Sequence, residues 1–196
     1  MWMCALHCEA KPLIDRFGLR KVPRGQGFDS YQNGRHCCVV SGIGAINMAA
    51  ATAWAATSYN ESSLKIWINL GIAGHQTQPL GELLQVSEFS SLDQPRVFKT
   101  PAINGLAIEP SALCSYPGEQ QHYPDHCLVD MEGYAFVATA SRFSDLKWCH
   151  SLKVISDNQQ TPPTRDKNAI SQLIENKLPI IEQFADQVQQ QMEAPS

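Results

Sequence analysis

Short apolar runs, rich in β-branched residues and spaced through the 196-residue chain, predict six β-strands. Helical segments come between several of these runs. Strands that alternate with helices are typical of α/β folds. We therefore expect a single domain over residues 1–196, which is a normal length for one domain with its own core. The predicted strands lie near Trp2–His7, His36–Ser41, Leu64–Leu70, Glu82–Phe89, Cys127–Met131 and Leu152–Ser156.

Four segments space their apolar residues as helices do. In the second of them, Ile46, Ala50 and Trp54 recur at intervals of four and predict the stripe that faces the core. In the last, Pro179 removes an intrahelical hydrogen bond and predicts a bend. The predicted helices are Glu9–Leu19, Ile43–Tyr59, Glu132–Phe143 and Asp166–Met192.

Two connections have distinctive compositions. The pair Asn33-Gly34, just before the second predicted strand, is a hairpin-turn signal. The stretch Ser90–Asp125 contains five prolines and little periodicity, and we interpret it as a long connection. Long connections in compact domains are usually functional.

The composition is that of an ordinary globular protein, with 43% hydrophobic and 17% charged residues. A net charge of -4 argues against a nucleic-acid-binding face. No apolar stretch approaches the roughly 20 residues that a membrane-spanning helix needs, and the amino terminus lacks the basic region of a secretory signal. The seven cysteines follow no zinc-site spacing, so we expect reduced thiols in the cytoplasm.

Three carboxylates directly follow predicted strands. Glu9 comes after the apolar opening, Glu132 follows Cys127–Met131, and Asp157 follows Leu152–Ser156. In open α/β sheets, ligands bind at the carboxyl ends of strands, and three acids in one crevice suit a reaction whose transition state carries positive charge. For Asp157 alone, capping or turn formation explains the residue equally well. Glu132 opens a nearly all-apolar helix, where a charge needs a partner.

Two glycine turns each follow a predicted strand. Ser41–Asn47 leads from strand to helix, a geometry that lets backbone approach a ligand. The dinucleotide fingerprint requires a third glycine where Asn47 stands, so we exclude an NAD site. Gly71–Gly74 is either a turn or the floor under a sugar. A tight turn alone explains both sets of glycines as well as a binding site does.

Cysteine stands beside histidine four times, which suggests metal or thiol chemistry. Neighbours in a strand point to opposite faces, however, and cannot share a metal or a proton. We therefore predict no metal, no cofactor and no cysteine nucleophile. The four pairs are His7-Cys8, His36-Cys37, His126-Cys127 and Cys149-His150.

Several stretches between Ala5 and Asn158, in the right order, resemble the nucleoside phosphorylase and nucleosidase superfamily. The resemblance is greatest to its methylthioadenosine/S-adenosylhomocysteine nucleosidase branch. It implies an α/β fold in three layers, an αβα sandwich with a mixed, twisted central sheet, and a homodimer or higher homo-oligomer. The matching stretches are Ala5–Ala10, Ser41–Gly44, Asn69–Gly74, Val129–Glu132 and Ile155–Asn158.

The resemblance also implies hydrolysis of the N-glycosidic bond of a purine nucleoside. Asp157 would protonate the base at N7, with Ser156 orienting it. Glu132 would hold the ribose hydroxyls, and Glu9 would activate the attacking water. The family's usual base-contacting segment is not visible, and Tyr116 stands roughly in its place. The other residues expected in the pocket are Met131, Gly42, Gly44, Gly71 and Ala73.

Two alternatives remain open at this stage. A phosphate-dependent phosphorylase needs arginines near the first strands, for which Arg24 and Arg35 are available. An acid at Glu9 would repel phosphate, so water is favoured. The second alternative is a non-catalytic nucleoside-binding protein, which the compressed Ser90–Asp125 stretch favours. In each case the expected partner is a small molecule, not a nucleic acid or a membrane.

Overall fold

The computed structural model describes residues 1–23, 26–59 and 66–194. Arg24 and the first two residues of the strand predicted at Leu64–Leu70 lie outside these ranges. No helix within them is both long enough and apolar enough to cross a membrane.

The described residues form ten strands and five α-helices. The strands are β1 (Trp2–Cys4), β2 (Arg20–Lys21), β3 (Asp29–Gln32), β4 (Cys37–Val40), β5 (Trp67–Gly74), β6 (Leu83–Ser91), β7 (Gln94–Lys99), β8 (Glu109–Ser115), β9 (Cys127–Asp130) and β10 (Cys149–Asp157). The α-helices are α1 (His7–Phe17), α2 (Ala45–Ser58), α3 (Gly133–Ala140), α4 (Lys167–Glu175) and α5 (Leu178–Glu193).

These strands form one mixed sheet, part of which closes on itself. β1 lies between β4 and β5 and is parallel to both, and β3 and β2 extend the sheet beyond β4. β5 also pairs with β10 in parallel and meets β9 antiparallel. Because β10, β6, β8 and β9 pair in turn, these four strands and β5 complete a ring. The ring and the open part of the sheet therefore share β5.

Helices cover both faces of the sheet because consecutive strand residues point to opposite sides. In β1, Trp2 and Cys4 belong to the core that packs with α1, α4 and α5. Met3, between them, belongs to the core that packs with α2 and α3. This arrangement confirms the predicted three-layer α/β fold with a mixed central sheet.

The first helix is fixed in place by an unusual contact at its proline. Pro12 lies inside α1, so it cannot donate the intrahelical hydrogen bond that the carbonyl of Cys8 would accept. The hydroxyl of Ser171 in α4 donates to that carbonyl instead, at 2.7 Å. The helix ends at Gly18, whose φ of 61° is left-handed. The first turn of α1, which carries Glu9, is thereby held against α4.

The predicted core stripe of α2 is wrong. Ile46 is 86% exposed, Ala50 is exposed and Trp54 is only half-buried. An alanine-rich helix is apolar on nearly every side, so periodicity alone does not identify the face that meets the sheet. The residues of α2 that are buried are Met48, Ala51, Thr52 and Ala55.

The last predicted helix is two helices rather than one bent helix. Asp166 caps α4 by accepting from the backbone N–H of Asn168 at 2.9 Å. Pro179 is the second residue of α5, a position where its missing N–H costs nothing. The helix therefore stops and restarts before the proline. The apolar residues of these two helices face the core, where Ile170, Ile174, Ile181, Phe184 and Val188 are all buried.

The interpretation of Ser90–Asp125 as one long connection is also wrong, because β7 and β8 lie within it. β7 is an edge strand whose single partner among the described residues is β6, and Pro95 is tolerated there. Its exposed residues hide the alternation that would reveal a strand. The hairpin signal at Asn33-Gly34 is confirmed, since it joins the antiparallel strands β3 and β4.

His150 in β10 is fully buried against Phe184, with ring centroids 5.5 Å apart. Neither of its ring nitrogens has a hydrogen-bond partner among the described residues. Burial disfavours the charged ring and lowers the pKa of His150 to about 4. The unfolded chain takes up this proton near pH 6.5, so the histidine costs stability as the pH falls from 6.5 towards 4.

We expect the free energy of unfolding to lose about 3 kcal/mol through His150 over that interval. His150→Leu, of similar volume, should remove this part of the pH dependence. Urea unfolding of both proteins between pH 7 and pH 4 measures it. Substitution of the exposed His122 by Gln is the control. Equal pH slopes for the wild-type protein and His150→Leu would contradict the assignment.

Candidate active site

A cavity of about 580 Å³ opens at the carboxyl ends of β1, β5 and β10. β1 and β10 are both parallel to β5 and end at the same edge of the sheet. β9 is antiparallel to β5 but meets it where Val129 pairs with Gly74, at the carboxyl ends of both strands. β1 leads into Glu9, β9 leads into Glu132, and β10 ends at Asp157. All three carboxylates line the cavity. A second cavity of about 1220 Å³ lies near the amino ends of β1, β4 and β5, and no predicted site residue lines it.

The structure brings together six of the ten residues predicted for the site. Besides the three acids, Met131, Ser156 and Ala73 line the cavity. The other four, Gly42, Gly44, Gly71 and Tyr116, do not line it.

Glu9 is 3% exposed and both of its carboxylate oxygens accept backbone hydrogen bonds. One oxygen accepts from the N–H groups of Ala5 and Leu6 at 3.0 and 2.8 Å. The other accepts from Ile72 at 2.9 Å. Burial raises the pKa of Glu9, while nearby Lys153 and these backbone donors oppose the rise. The carboxylate is therefore held rigidly at the wall of the cavity.

Gly71 of β5 lies directly against the carboxylate of Glu9. A Cβ atom at residue 71 would lie 2.7 Å from Oε1 of Glu9, too close for any real contact. Only glycine lets β5 pass so near the acid. Gly71 therefore supports the position of Glu9 without lining the cavity.

Glu132 stands at the amino end of α3, where its Oε1 accepts from the backbone N–H of Gly44 at 2.5 Å. Gly44 has a φ of 98°, a conformation that favours glycine. Burial, followed by the charge of Asp130, raises the pKa of Glu132 to about 7. Gly42, in the same turn, donates its N–H to the carbonyl of Ala5 at 3.0 Å. Both glycines therefore act through backbone contacts.

A buried ion pair behind these acids was not predicted from the sequence. Nζ of Lys153 lies 2.8 Å from Oδ2 of Asp130, and each side chain is 2% exposed. Ser115 Oγ and the N–H of Gly133 also donate to Asp130, at 2.6 and 2.8 Å. The charges of Asp130 and Glu132 raise the pKa of Lys153 although burial opposes its charge. One signal was available: a lysine inside the apolar run Leu152–Ile155 needs a charged partner.

Asp157 accepts hydrogen bonds from two hydroxyl groups. Ser156 Oγ donates to its Oδ1 and Tyr123 Oη donates to its Oδ2. Tyr123 is buried and lines the cavity. The aromatic residue at this end of the site is therefore Tyr123 rather than Tyr116. Nothing in the sequence around Tyr123 distinguishes it from the other residues of its proline-containing stretch.

Tyr116 lies next to β9 rather than at the cavity. Its backbone N–H donates to the carbonyl of Asp130 at 2.8 Å. Burial and the neighbouring thiols raise the pKa of its phenol. It was expected near the base because it stands roughly where the family's base-contacting segment would be, but the cavity begins two residues later, at Gly118.

No family model matches the chain, and no curated protein does. Solved structures match closely in fold at low identity. The Helicobacter pylori 5′-methylthioadenosine/S-adenosylhomocysteine nucleosidase with butyl-thio-DADMe-Immucillin-A has a TM-score of 0.75 and 15% identity, covering 94% of this chain and 96% of that one. The Arabidopsis thaliana 5′-methylthioadenosine nucleosidase has a TM-score of 0.73 and 19% identity, covering 100% and 96%.

Futalosine hydrolase of Helicobacter pylori strain 26695 matches at a TM-score of 0.72 and 14% identity, over 94% of this chain and 96% of that one. At identities this low the comparison establishes the fold. The chain has the fold that these solved structures share.

Proposed function

We propose that the protein hydrolyses the N-glycosidic bond of a purine nucleoside of the 5′-methylthioadenosine or S-adenosylhomocysteine type. The observation that carries the proposal is the convergence of Glu9, Glu132 and Asp157, from three distant parts of the chain, on one cavity. Its volume of about 580 Å³ is within the usual range for a small-molecule site. The similar solved structures include nucleosidases, one of them with butyl-thio-DADMe-Immucillin-A.

Each acid has a separate task in this reaction. Asp157 acts as the carboxylic acid, with a proton taken up from water: it donates that proton to N7 of the base while the bond between C1′ and N9 breaks, and the bonding electrons leave with the base. Positive charge develops on the ribosyl ring, where Glu132 binds the hydroxyls and stabilises the charge. A water oxygen forms the new bond to C1′, and Glu9 takes up its proton.

The neighbouring residues position these groups. Ser156 orients Asp157 through its hydrogen bond to Oδ1. Met131 and Ala73 supply the apolar surface against which sugar and base pack. The ammonium of Lys153 sits on Asp130, where it limits the negative charge accumulated behind Glu9 and Glu132.

Water is favoured over phosphate as the nucleophile. Arg35 forms an exposed ion pair with Asp186 at 2.8 Å and lines the other cavity, and Arg24 lies outside the described residues. Among the described residues that line the site, the cationic ones are Arg165 and Lys167. Phosphate beside the fixed carboxylate of Glu9 would be repelled.

The cytoplasmic location proposed here follows from the expectation of reduced thiols. From the resemblance we carry over a homodimer or higher homo-oligomer, in which a neighbouring subunit completes the 5′ side of the pocket. Two exposed apolar side chains support the proposed oligomer. Ile43 lines the cavity and is 54% exposed, and Ile46, one helical turn further on, is exposed as well. Sedimentation equilibrium measures the size of the assembly.

The proposed reaction is tested by product analysis. Purine nucleosides with different 5′ substituents are incubated with the purified protein, with and without phosphate, and the products are separated by chromatography. We expect free base and a free ribose derivative in both buffers. Strict dependence on phosphate, with a ribose 1-phosphate as product, would establish a phosphorylase instead. No base release from any purine nucleoside would contradict the proposal altogether.

A further inference from the structure

The loop between β8 and β9, residues 116–126, forms the base end of the cavity. Gly118, Glu119, Gln120 and Tyr123 of this loop line it. Every residue of the loop is described, and Tyr123 alone is buried, with 7% exposure. The side chain of Tyr123 is therefore the anchor of the loop.

Tyr123, which anchors the loop, forms its hydrogen bond with Asp157. Tyr123 Oη donates to Oδ2 of Asp157, while Ser156 Oγ donates to Oδ1. With both carboxylate oxygens engaged, any ligand atom that bonds to Asp157 must share an oxygen with a protein hydroxyl or replace one. Ser156 is adjacent to Asp157 in the same strand and has little freedom to leave, so the phenol is the partner that can be replaced.

The fit around this hydrogen bond is tight. A Cβ atom at Gly74 would overlap both the ring of Tyr123 and Oδ2 of Asp157. The glycine lets the two side chains meet over β5, and the same closeness leaves no room for a base between them. A purine therefore cannot take the position of the phenol at Oδ2 of Asp157 while the phenol stays in place.

Only weak contacts retain the rest of the loop. Among the described residues, no backbone–backbone hydrogen bond involves residues 117–125. The ion pair between Glu119 and Arg165 spans 3.7 Å and is largely exposed, which makes it worth little. The loop can therefore move once Tyr123 is released.

We propose that Tyr123 closes the empty site by occupying Asp157, and that a purine base enters by displacing the phenol from Oδ2. This inference rests on the proposed function, because it takes Asp157 as the group that meets the base. Tyr123 is then a selectivity residue. A ligand must offer Asp157 a hydrogen bond at least as good as the one it replaces, or a buried polar group is left unpaired.

The test is the affinity of free purine bases, which are not turned over. Adenine and hypoxanthine are titrated by calorimetry into the wild-type protein, Tyr123→Phe and the control Tyr31→Phe, whose ring lies on β3 away from the cavity. Without a hydroxyl to displace, Tyr123→Phe should bind the preferred base about ten-fold more tightly. Tyr31→Phe should bind it as the wild-type protein does. Weaker or unchanged binding by Tyr123→Phe would overturn the inference.

A second measurement needs no variant. In a crystal structure of the wild-type protein with the base bound, Tyr123 Oη should lie beyond hydrogen-bond distance of Asp157, and the base should occupy Oδ2. An intact contact between Tyr123 and Asp157 beside bound base would overturn the inference while leaving the proposed function standing. If neither the wild-type protein nor Tyr123→Phe binds a purine base, and no nucleoside is cleaved, the proposed function fails as well.

Discussion

Replacement of Asp157 by asparagine should lower the turnover of purine nucleosides by about 10²–10⁴-fold, because the amide cannot donate an acidic proton to N7. The substitution should leave the fold intact. Both partners of Asp157 are hydroxyl groups, which can donate to the remaining oxygen or accept from the new NH₂ group. We therefore expect an unchanged melting temperature and retained nucleoside binding. Steady-state kinetics and calorimetric titration measure the two effects separately.

The matched control is Asp93→Asn, at an exposed position between β6 and β7, which should leave turnover unchanged. Full activity in Asp157→Asn would show that the acid is elsewhere. Loss of binding together with turnover would assign Asp157 to substrate binding rather than to proton transfer.

Replacement of Lys153 by methionine should cost about 3–5 kcal/mol of the free energy of unfolding. The methionine fills a similar space but leaves Asp130 charged and without its counter-ion in a buried site. Urea denaturation at pH 7 measures the loss. We also expect reduced turnover, since Asp130 lies two residues before Glu132 and the lost ammonium no longer opposes the protonation of Glu132 and Glu9.

Lys99 provides an internal comparison because its ion pair with Glu88 has the same length, 2.8 Å, but is exposed. Lys99→Met should barely change stability, since exposed ion pairs are screened by water. Adding Asp130→Asn to Lys153→Met should recover part of the loss, because the unpaired charge is removed. A Lys153→Met protein as stable as Lys99→Met would contradict the buried ion pair between Lys153 and Asp130.

The positions of the three carboxylates at the ends of strands were the part of the site that the sequence predicted best. Glu9, Glu132 and Asp157 each come at the end of an apolar run that the sequence identifies as a strand. β1 and β10, both parallel to β5, bring Glu9 and Asp157 to one edge of the sheet. Glu132 follows β9, which is antiparallel to β5 and meets it at its carboxyl end. The structure places the three side chains on one cavity, although their chemical roles remain a proposal. The three-layer fold was implied by the family resemblance, and the structure confirms it, since neighbouring strand residues such as Trp2 and Met3 face different helices.

The wrong predictions concern segments in which the local sequence pattern does not show which residues are buried or which form a strand. In α2, alanines on every side conceal which face is buried, and Ile46 was assigned to the core although it is exposed. In β7, an exposed edge strand with a proline has no alternation to detect. Tyr123 reaches Asp157 across 34 positions of the chain, a contact that depends on tertiary structure alone.

A crystal structure with a non-hydrolysable purine nucleoside analogue tests the central claim most directly. We predict that the analogue occupies the 580 Å³ cavity, with N7 at hydrogen-bond distance from Asp157, a ribose hydroxyl on Glu132, and a water between Glu9 and C1′. An analogue bound in this cavity with its base turned away from Asp157, or bound at another surface, would contradict the account.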